Sequence, residues 1–223
     1  MKSSGRGISS LRVLVLFLVL ILFLPAFSLK KLLSVPFLCQ APFGNWGEPY
    51  QEACEETALI MARHYQTEKP IYLKDGDREI LDLVDYQERT LGGHFDLTAK
   101  QVKKLAEDYY KMKNIALSYE FTIEDMKRAL DEDKVVIVPA AGRLLRNPYY
   151  TPPGPAYHNL LIIGYDDGRG EFITNDAGTK RGKNYRYKYQ VVFNAIHDWA
   201  GSKANIEKGK KAMLAVGRDH SPE

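Results

Sequence analysis

The sequence predicts an α+β fold, with N-terminal helices packed on a C-terminal antiparallel sheet, and three observations carry that reading. Between Glu52 and Leu130 the apolar residues recur at helical spacing. From Val135 onward they gather instead into short continuous runs of strand composition. The links between these segments are mostly short, and helices followed by strands joined in this way mark an α+β domain. A chain of 223 residues with 45% hydrophobic composition buries one core. About 190 residues remain once the N-terminal segment is set aside, which is the size of a single domain.

Taken in order, the chain begins with Lys2, Arg6 and Arg12 ahead of an apolar run from Val13 to Leu24, then Pro25, Ala26, Phe27 and Ser28. A basic start, an apolar core and small residues before a cut are the layout of a secretory signal. The apolar stretch of about 15 residues also suits an uncleaved anchor. Residues 1–31 are therefore expected to be a signal peptide or membrane anchor, 32–218 the folded domain and 219–223 a tail. The body is expected outside the cytoplasm, secreted or membrane-anchored, with membrane contact only through that first segment.

Leu32 to Phe37 reads as an extended segment, followed by a Gly/Pro/aromatic loop from Ala41 to Tyr50. Glu52 to Tyr65 has helical composition, and Glu52, Glu55 and Glu56 sit in its first turns, where carboxylates favour the helix dipole. Asp77 to Leu91 and Thr98 to Met112 follow as amphipathic helices, the second with Thr98 as a cap. Ile115 to Tyr119 reads as a strand. Thr122 to Leu130 reads as a short helix, with Thr122 three residues ahead of Asp125 in an acidic form of the capping box. Val135 to Pro139, His158 to Tyr165, Glu171 to Thr174 and Lys210 to Val216 are the strand runs, with a helix around Tyr189 to Ala200. The long loop from Gly142 to Tyr157, rich in Pro and Tyr, runs directly into His158 and has the character of a binding loop.

Charge excludes one class of partner. The net charge is +3, from 31 basic and 28 acidic residues, and no concentrated basic stripe of the kind that holds nucleic acid is present. The local run Lys180, Arg181, Lys183, Arg186 and Lys188 reads as a solvated loop and strand edge.

Cys54 stands at the start of a helix, a setting that supplies part of what a thiolate needs, with a histidine supplying the rest. The same position also suits a small buried core cysteine. The neighbouring glutamates oppose thiolate formation if their carboxylates point inward. Of the five histidines, His64 shares the Cys54 helix more than one turn away, and His94, His197 and His220 read as solvated or satisfied. His158 opens a buried strand beside the long loop, a rigid mount for a base. If the strands on either side of Asp166–Gly168 form a hairpin, the cluster Asn175/Asp176 comes within reach of His158, and either residue can orient an imidazole. No zinc spacing, no G-x-S-x-G elbow and no Gly-rich phosphate loop occurs.

The stretch V-P-F-L-C-Q-A-P-F-G-N-W-G-E-P-Y-Q-E-A-C-E-E-T, Val35 to Thr57, together with Tyr157-His158-Asn159 and Thr174 to Gly178, resembles cysteine peptidase family thirty-nine. This papain-like family includes the double-glycine leader peptidases of bacteriocin maturation. Where the transporter-linked members carry Gly after the cysteine, this chain has Glu55, and it has no transporter or ATPase part. The resemblance implies a papain-like fold and a cysteine peptidase working through an acyl-enzyme. Cys54 is then the nucleophile, His158 the general base and acid, Asp176 (or Asn175) the residue that orients it, and Gln40 (or the nearer Gln51) the oxyanion-hole side chain. Trp46 and Tyr157 are expected to bind substrate. In an extended segment neighbouring side chains alternate, so Gln40 facing the site turns Cys39 away and argues against a Cys39–Cys54 disulfide. A peptide or protein substrate, no metal or other cofactor and a monomeric state complete the expectation. The alternatives are a non-catalytic papain-fold peptide-binding module at the cell surface and a hydrolase of cell-wall peptides.

Overall fold

The computed structural model describes residues 29–219. In chain order the elements are β1 (Lys30–Leu32), a 3-10 turn (Tyr50–Glu52), α1 (Cys54–Gln66), α2 (Leu73–Leu91), α3 (Ala99–Tyr109), β2 (Ile115–Ser118), α4 (Ile123–Asp131) and β3 (Val135–Ala141). After a second 3-10 turn (Gly142–Leu145) come β4 (Tyr157–Asp166), β5 (Glu171–Asn175), β6 (Tyr185–Lys188), α5 (Tyr189–Ala195), a third 3-10 turn (Lys203–Lys208) and β7 (Met213–Val216). The strands form one antiparallel sheet in the order β2-β7-β3-β4-β5-β6, with β1 also pairing with β4. The α+β expectation therefore holds.

Local chemistry accounts for several element boundaries. Thr98 caps α3 in a reciprocal capping box with Gln101, and Thr122 does the same for α4 with Asp125, so at each helix start the amides of the cap and of the third helical residue are satisfied. Helix α2 stops at Gly92, whose φ of 82° is the left-handed conformation that glycine adopts without strain. The β4–β5 hairpin turns through Asp166–Gly170.

Helix α1 is the element the domain is built around. It lies between the sheet and helices α2 and α3, and Ala58, Leu59, Ile60, Met61 and Ala62 are all fully buried. A helix covered on every side carries no polar stripe, which is why its sequence shows helical composition without a clear amphipathic period. Strand β4 is the central strand, buried along its whole length. It pairs with β3 over Tyr157–Ile162 and with β5 over Leu161–Asp166, and β1 pairs with it over Gly164–Asp166. Gly164 makes that last contact possible: a Cβ there would stand 2.3 Å from the Lys31 carbonyl oxygen.

Several boundaries move. The first strand is Lys30–Leu32 rather than Leu32–Phe37, because after Leu33 bonds the Ile163 carbonyl the chain leaves the sheet ahead of Pro36. The helix expected around Tyr189–Ala200 ends at Ala195, where Ile196 becomes extended and bridges Ala140. The Gly142–Tyr157 loop begins as a 3-10 turn and gives up Tyr157 to β4. Tyr185–Lys188 is a paired strand. The signal or anchor reading of residues 1–31 lies outside the described residues as far as residue 28, while Lys30 and Lys31 at its end pair with β4. Among the described residues, no helix is long and apolar enough to cross a membrane.

Candidate active site

Three elements converge on one cleft. Helix α1 presents Cys54 as its first residue, β4 presents His158 as its second, and the chain leaving β5 presents Asp176. The hairpin makes the last two neighbours: β4 and β5 run antiparallel with Leu161 opposite Asn175, so the residues just beyond that pair lie side by side. His158 Nε2 and Asp176 Oδ1 are 2.9 Å apart, and both side chains are buried. The other ring nitrogen, Nδ1, makes no hydrogen bond among the described residues. Asn175, the alternative partner, points elsewhere: its amide bonds the carbonyls of Val35 and Pro36, and its Oδ1 accepts from the Asn184 amide. Alternation along a strand puts consecutive side chains on opposite faces, so only one of the two can reach His158.

Asp176 is the hub of a buried network. Its Oδ1 also accepts from the Gly178 amide at 3.0 Å. Its Oδ2 accepts from Asn147 Nδ2 at 3.0 Å, the Tyr150 hydroxyl at 2.7 Å and the Tyr187 hydroxyl at 2.5 Å. Burial alone would raise its pKa, but the His158 charge and the hydrogen bonds from His158, Tyr187 and Tyr150 outweigh it and hold the carboxyl at about 2. Asn147 and Tyr150 come from the Pro/Tyr loop, which is thereby fastened to the site. The Tyr150 ring also meets His158 edge-on, with centroids 5.6 Å apart. Sequence reasoning named neither residue, nor Tyr187. The paired tyrosines Tyr149-Tyr150 were visible, but nothing local shows which hydroxyl turns inward.

Cys54 is buried and its thiol donates to Glu55 Oε2 at 2.9 Å. Both first-turn glutamates are fully buried, so the condition under which they oppose a thiolate is met. Glu55 Oε1 accepts from the Leu97 amide, and Glu56 Oε1 accepts from Gln87 and stands 3.3 Å from His94 Nε2. Desolvation, followed by the Glu55 charge, pushes the Cys54 thiol well above its ordinary value. Desolvation and the neighbouring Glu56 likewise push the Glu55 carboxyl well up. The resting nucleophile candidate is therefore a neutral thiol held by a carboxyl group. Cys39 is also free and buried, so the two cysteines are not joined.

The remaining site candidates line the same cleft, a cavity of about 660 Å³ that contains Gln40, Trp46, Gln51, Cys54, Tyr157 and His158 on its walls. Gln40 is anchored by its backbone amide to the Ala177 carbonyl. Its side-chain Nε2 donates to the carbonyls of Tyr50 at 2.9 Å and Gln51 at 3.2 Å, folding the Ala41–Tyr50 loop back toward Cys54. Gln51 instead uses its amide on Glu48 in solvent. Trp46 is 40% exposed at the cleft mouth, whereas Tyr157 is buried with its hydroxyl on the Leu97 carbonyl at 2.6 Å. Tyr157 thus presents little surface to a ligand and joins β4 to the Glu55-bound loop. Among the described residues, no group of three or more His, Cys, Asp or Glu side chains is arranged to hold a metal.

A family model described as the Peptidase_C39-like family matches residues 32–205. No curated protein matches the sequence. A crystal structure from Bacillus anthracis, solved as a candidate C39-like peptidase, superposes with a TM-score of 0.56 at 15% identity, covering 86% of this chain and 99% of that one. At that identity the likeness is one of fold.

Proposed function

Because the chain belongs to the Peptidase_C39-like family, we propose that it hydrolyses peptide bonds with Cys54 as nucleophile and His158–Asp176 as its base. The observation that carries this reading is the buried His158–Asp176 pair, whose free Nδ1 belongs to a ring lining the same cleft as Cys54. His158 Nδ1 takes the thiol proton as Sγ bonds the substrate carbonyl carbon. The tetrahedral intermediate collapses, the C–N bond breaks, and the imidazolium returns its proton to the leaving amine. His158 then deprotonates a water that attacks the thioester, releasing the acid and restoring the thiol. Asp176 holds the ring and stabilises its charged form throughout. The backbone N–H of Cys54, free because it opens the helix, and Gln40 Nε2 serve the oxyanion, the glutamine after giving up its longer bond to Gln51. Gln40→Ala is accordingly expected to lower kcat by about 10²-fold with little change in KM. Steady-state kinetics check this, and an effect confined to KM would remove Gln40 from the role. The basic and apolar segment at the start of the chain supports a site of action outside the cytoplasm.

One observation favours a second reading, a peptide-binding module without turnover: the thiol is neutral at rest and its proton is held by Glu55. A peptidyl vinyl sulfone library followed by mass spectrometry separates the two. Adducts on Cys54 that vanish in His158→Ala support the peptidase; peptides that bind with neither adduct nor cleavage support the module. Glu55 itself makes a further expectation. Glu55→Gln keeps an acceptor for Leu97 and takes the carboxyl group away from Sγ, so the thiol pKa falls and neutral-pH alkylation speeds up about tenfold. The pH dependence of iodoacetamide labelling reads this directly, and an unchanged rate would show that Glu55 does not restrain the thiol.

A further inference from the structure

We propose that the cleft selects peptides bearing a carboxylate, which Lys180 and Arg181 receive; this deepens the peptidase reading and borrows from it only that the occupant is a peptide. Four charged residues line the cleft: Glu52, Lys180, Arg181 and Lys203. Lys203 is already neutralised, with Nζ 2.8 Å from each oxygen of Glu52. Lys180 and Arg181 form no ion pair with any described residue, so two uncompensated positive charges remain on one wall. The rest of the local basic run behaves differently. Arg186 pairs with Asp166 at 3.1 Å, and Lys188 pairs with Glu171 at 2.9 Å, on the outer strand. The run is the solvated loop and strand edge expected from the sequence: Arg186 and Lys188 sit on the edge strand, and Lys180 and Arg181 are exposed in the loop, where they border the cleft.

Arg181 is braced for a ligand and Lys180 is given room for one. Arg181 lies over the Tyr149 ring, its guanidinium carbon 4.8 Å from the centroid, on an aromatic that is itself 44% exposed. Stacking fixes the plane of the guanidinium and leaves its edge available for the two-oxygen grip that suits a carboxylate. Lys180 reaches across to the loop that carries Trp46. Its Nζ stands 2.8 Å from where a Cβ at Gly44 would be, so the bare glycine leaves room for the ammonium. Gly44 also has a φ of 83°, a conformation that further disfavours any other residue there. Lys180 and Arg181 follow Asp176 by four and five residues, which puts the positive wall beside the bond-breaking groups rather than at a distant surface.

The test measures peptide binding by fluorescence anisotropy to the full chain carrying Cys54→Ala, which removes turnover from the readout. A common neutral frame with an amidated C-terminus carries Asp, Glu, Ser or Lys at each position in turn, and one further frame is neutral with a free C-terminus. Asp or Glu at one position is expected to bind at least about tenfold tighter than Lys there, with the gap narrowing as salt rises. Adding Lys180→Glu and Arg181→Glu is expected to invert the preference. A gain seen only for the free C-terminus assigns the carboxylate to a chain end, and a gain seen only within the frame assigns it to a side chain. Equal binding of all frames, no binding at all, or a preference that survives the double charge reversal overturns the inference. Hydrolysis by the unmodified chain is scored separately: acidic selectivity without cleavage leaves this inference standing and sinks the peptidase, and cleavage without selectivity does the reverse.

Discussion

Cys54→Ala is expected to reduce peptide hydrolysis by about four orders of magnitude or more, and His158→Ala by a comparable factor. The two form one proton-transfer unit, so the double variant is expected to be no worse than either single one, as is usual for residues that act together. The losses should appear in kcat, because both side chains act on the reacting bond and the rest of the cleft wall is left intact. Folding is not expected to confound the result at Cys54. The thiol is small, its only side-chain hydrogen bond among the described residues is to Glu55, and alanine keeps the helix start. Initial rates on a quenched fluorescent peptide, with far-UV circular dichroism as a control, are sufficient. Substantial turnover in Cys54→Ala would end the cysteine mechanism, and full additivity in the double variant would separate His158 from it.

Asp176→Ala is expected to lower both stability and rate. The carboxylate receives five hydrogen bonds, from His158, Gly178, Asn147, Tyr150 and Tyr187, and it is fully buried. Alanine strands those donors in a dry site, at a cost of about 3–5 kcal/mol. Asp176→Asn keeps one oxygen for His158 and costs less stability, but it removes the charge that balances the imidazolium. Its larger effect is therefore on kcat. The pH dependence has a definite sign. A carboxyl held at about 2 instead of 3.8 stabilises the fold fully above pH 4, and that stabilisation of about 2 kcal/mol is lost as pH falls from 4 through 2. Urea denaturation between pH 2 and 6 should show this slope in the unmodified chain and a flatter curve in Asp176→Asn. Identical curves would show that Asp176 is not an ionised hub. An Asp176→Ala variant as stable as the parent would remove it from the core network altogether.

Much of the fold was legible because its signals are local. Thr98 and Thr122 announce helix starts through capping geometry that involves only three or four residues. The run from His158 to Tyr165 is too apolar to be anything but a buried strand or helix, and its length and Gly164 favour the strand. The hairpin through Asp166 and Gly168 then brings the far ends together by simple antiparallel counting, which is how His158 met the Asn175-Asp176 pair on paper. The choice between those two was not legible. It depends on which face of β5 is turned toward β4's histidine, and that is decided by the whole sheet's register.

The charge state of the site was the least legible part. Glu55 and Glu56 in a first turn read as dipole-favouring residues whose orientation the sequence leaves open, and only the packing of α1 between the sheet and two helices makes them buried partners of Cys54, Gln87 and His94. Likewise, a run of five basic residues is uniform in sequence, yet strand pairing neutralises Arg186 and Lys188 while leaving Lys180 and Arg181 on the cleft wall. Residue identity, spacing and the order of helices and strands are carried by short-range sterics and hydrophobic periodicity, and so the domain class, Cys54 at a helix start and His158 on a buried strand stand in the sequence alone. Burial, ionisation and the pairing of charges depend on what arrives from distant parts of the chain and on how much water it excludes, and so the thiol's partner, the five-bonded Asp176 and the uncompensated cations exist only in the folded molecule.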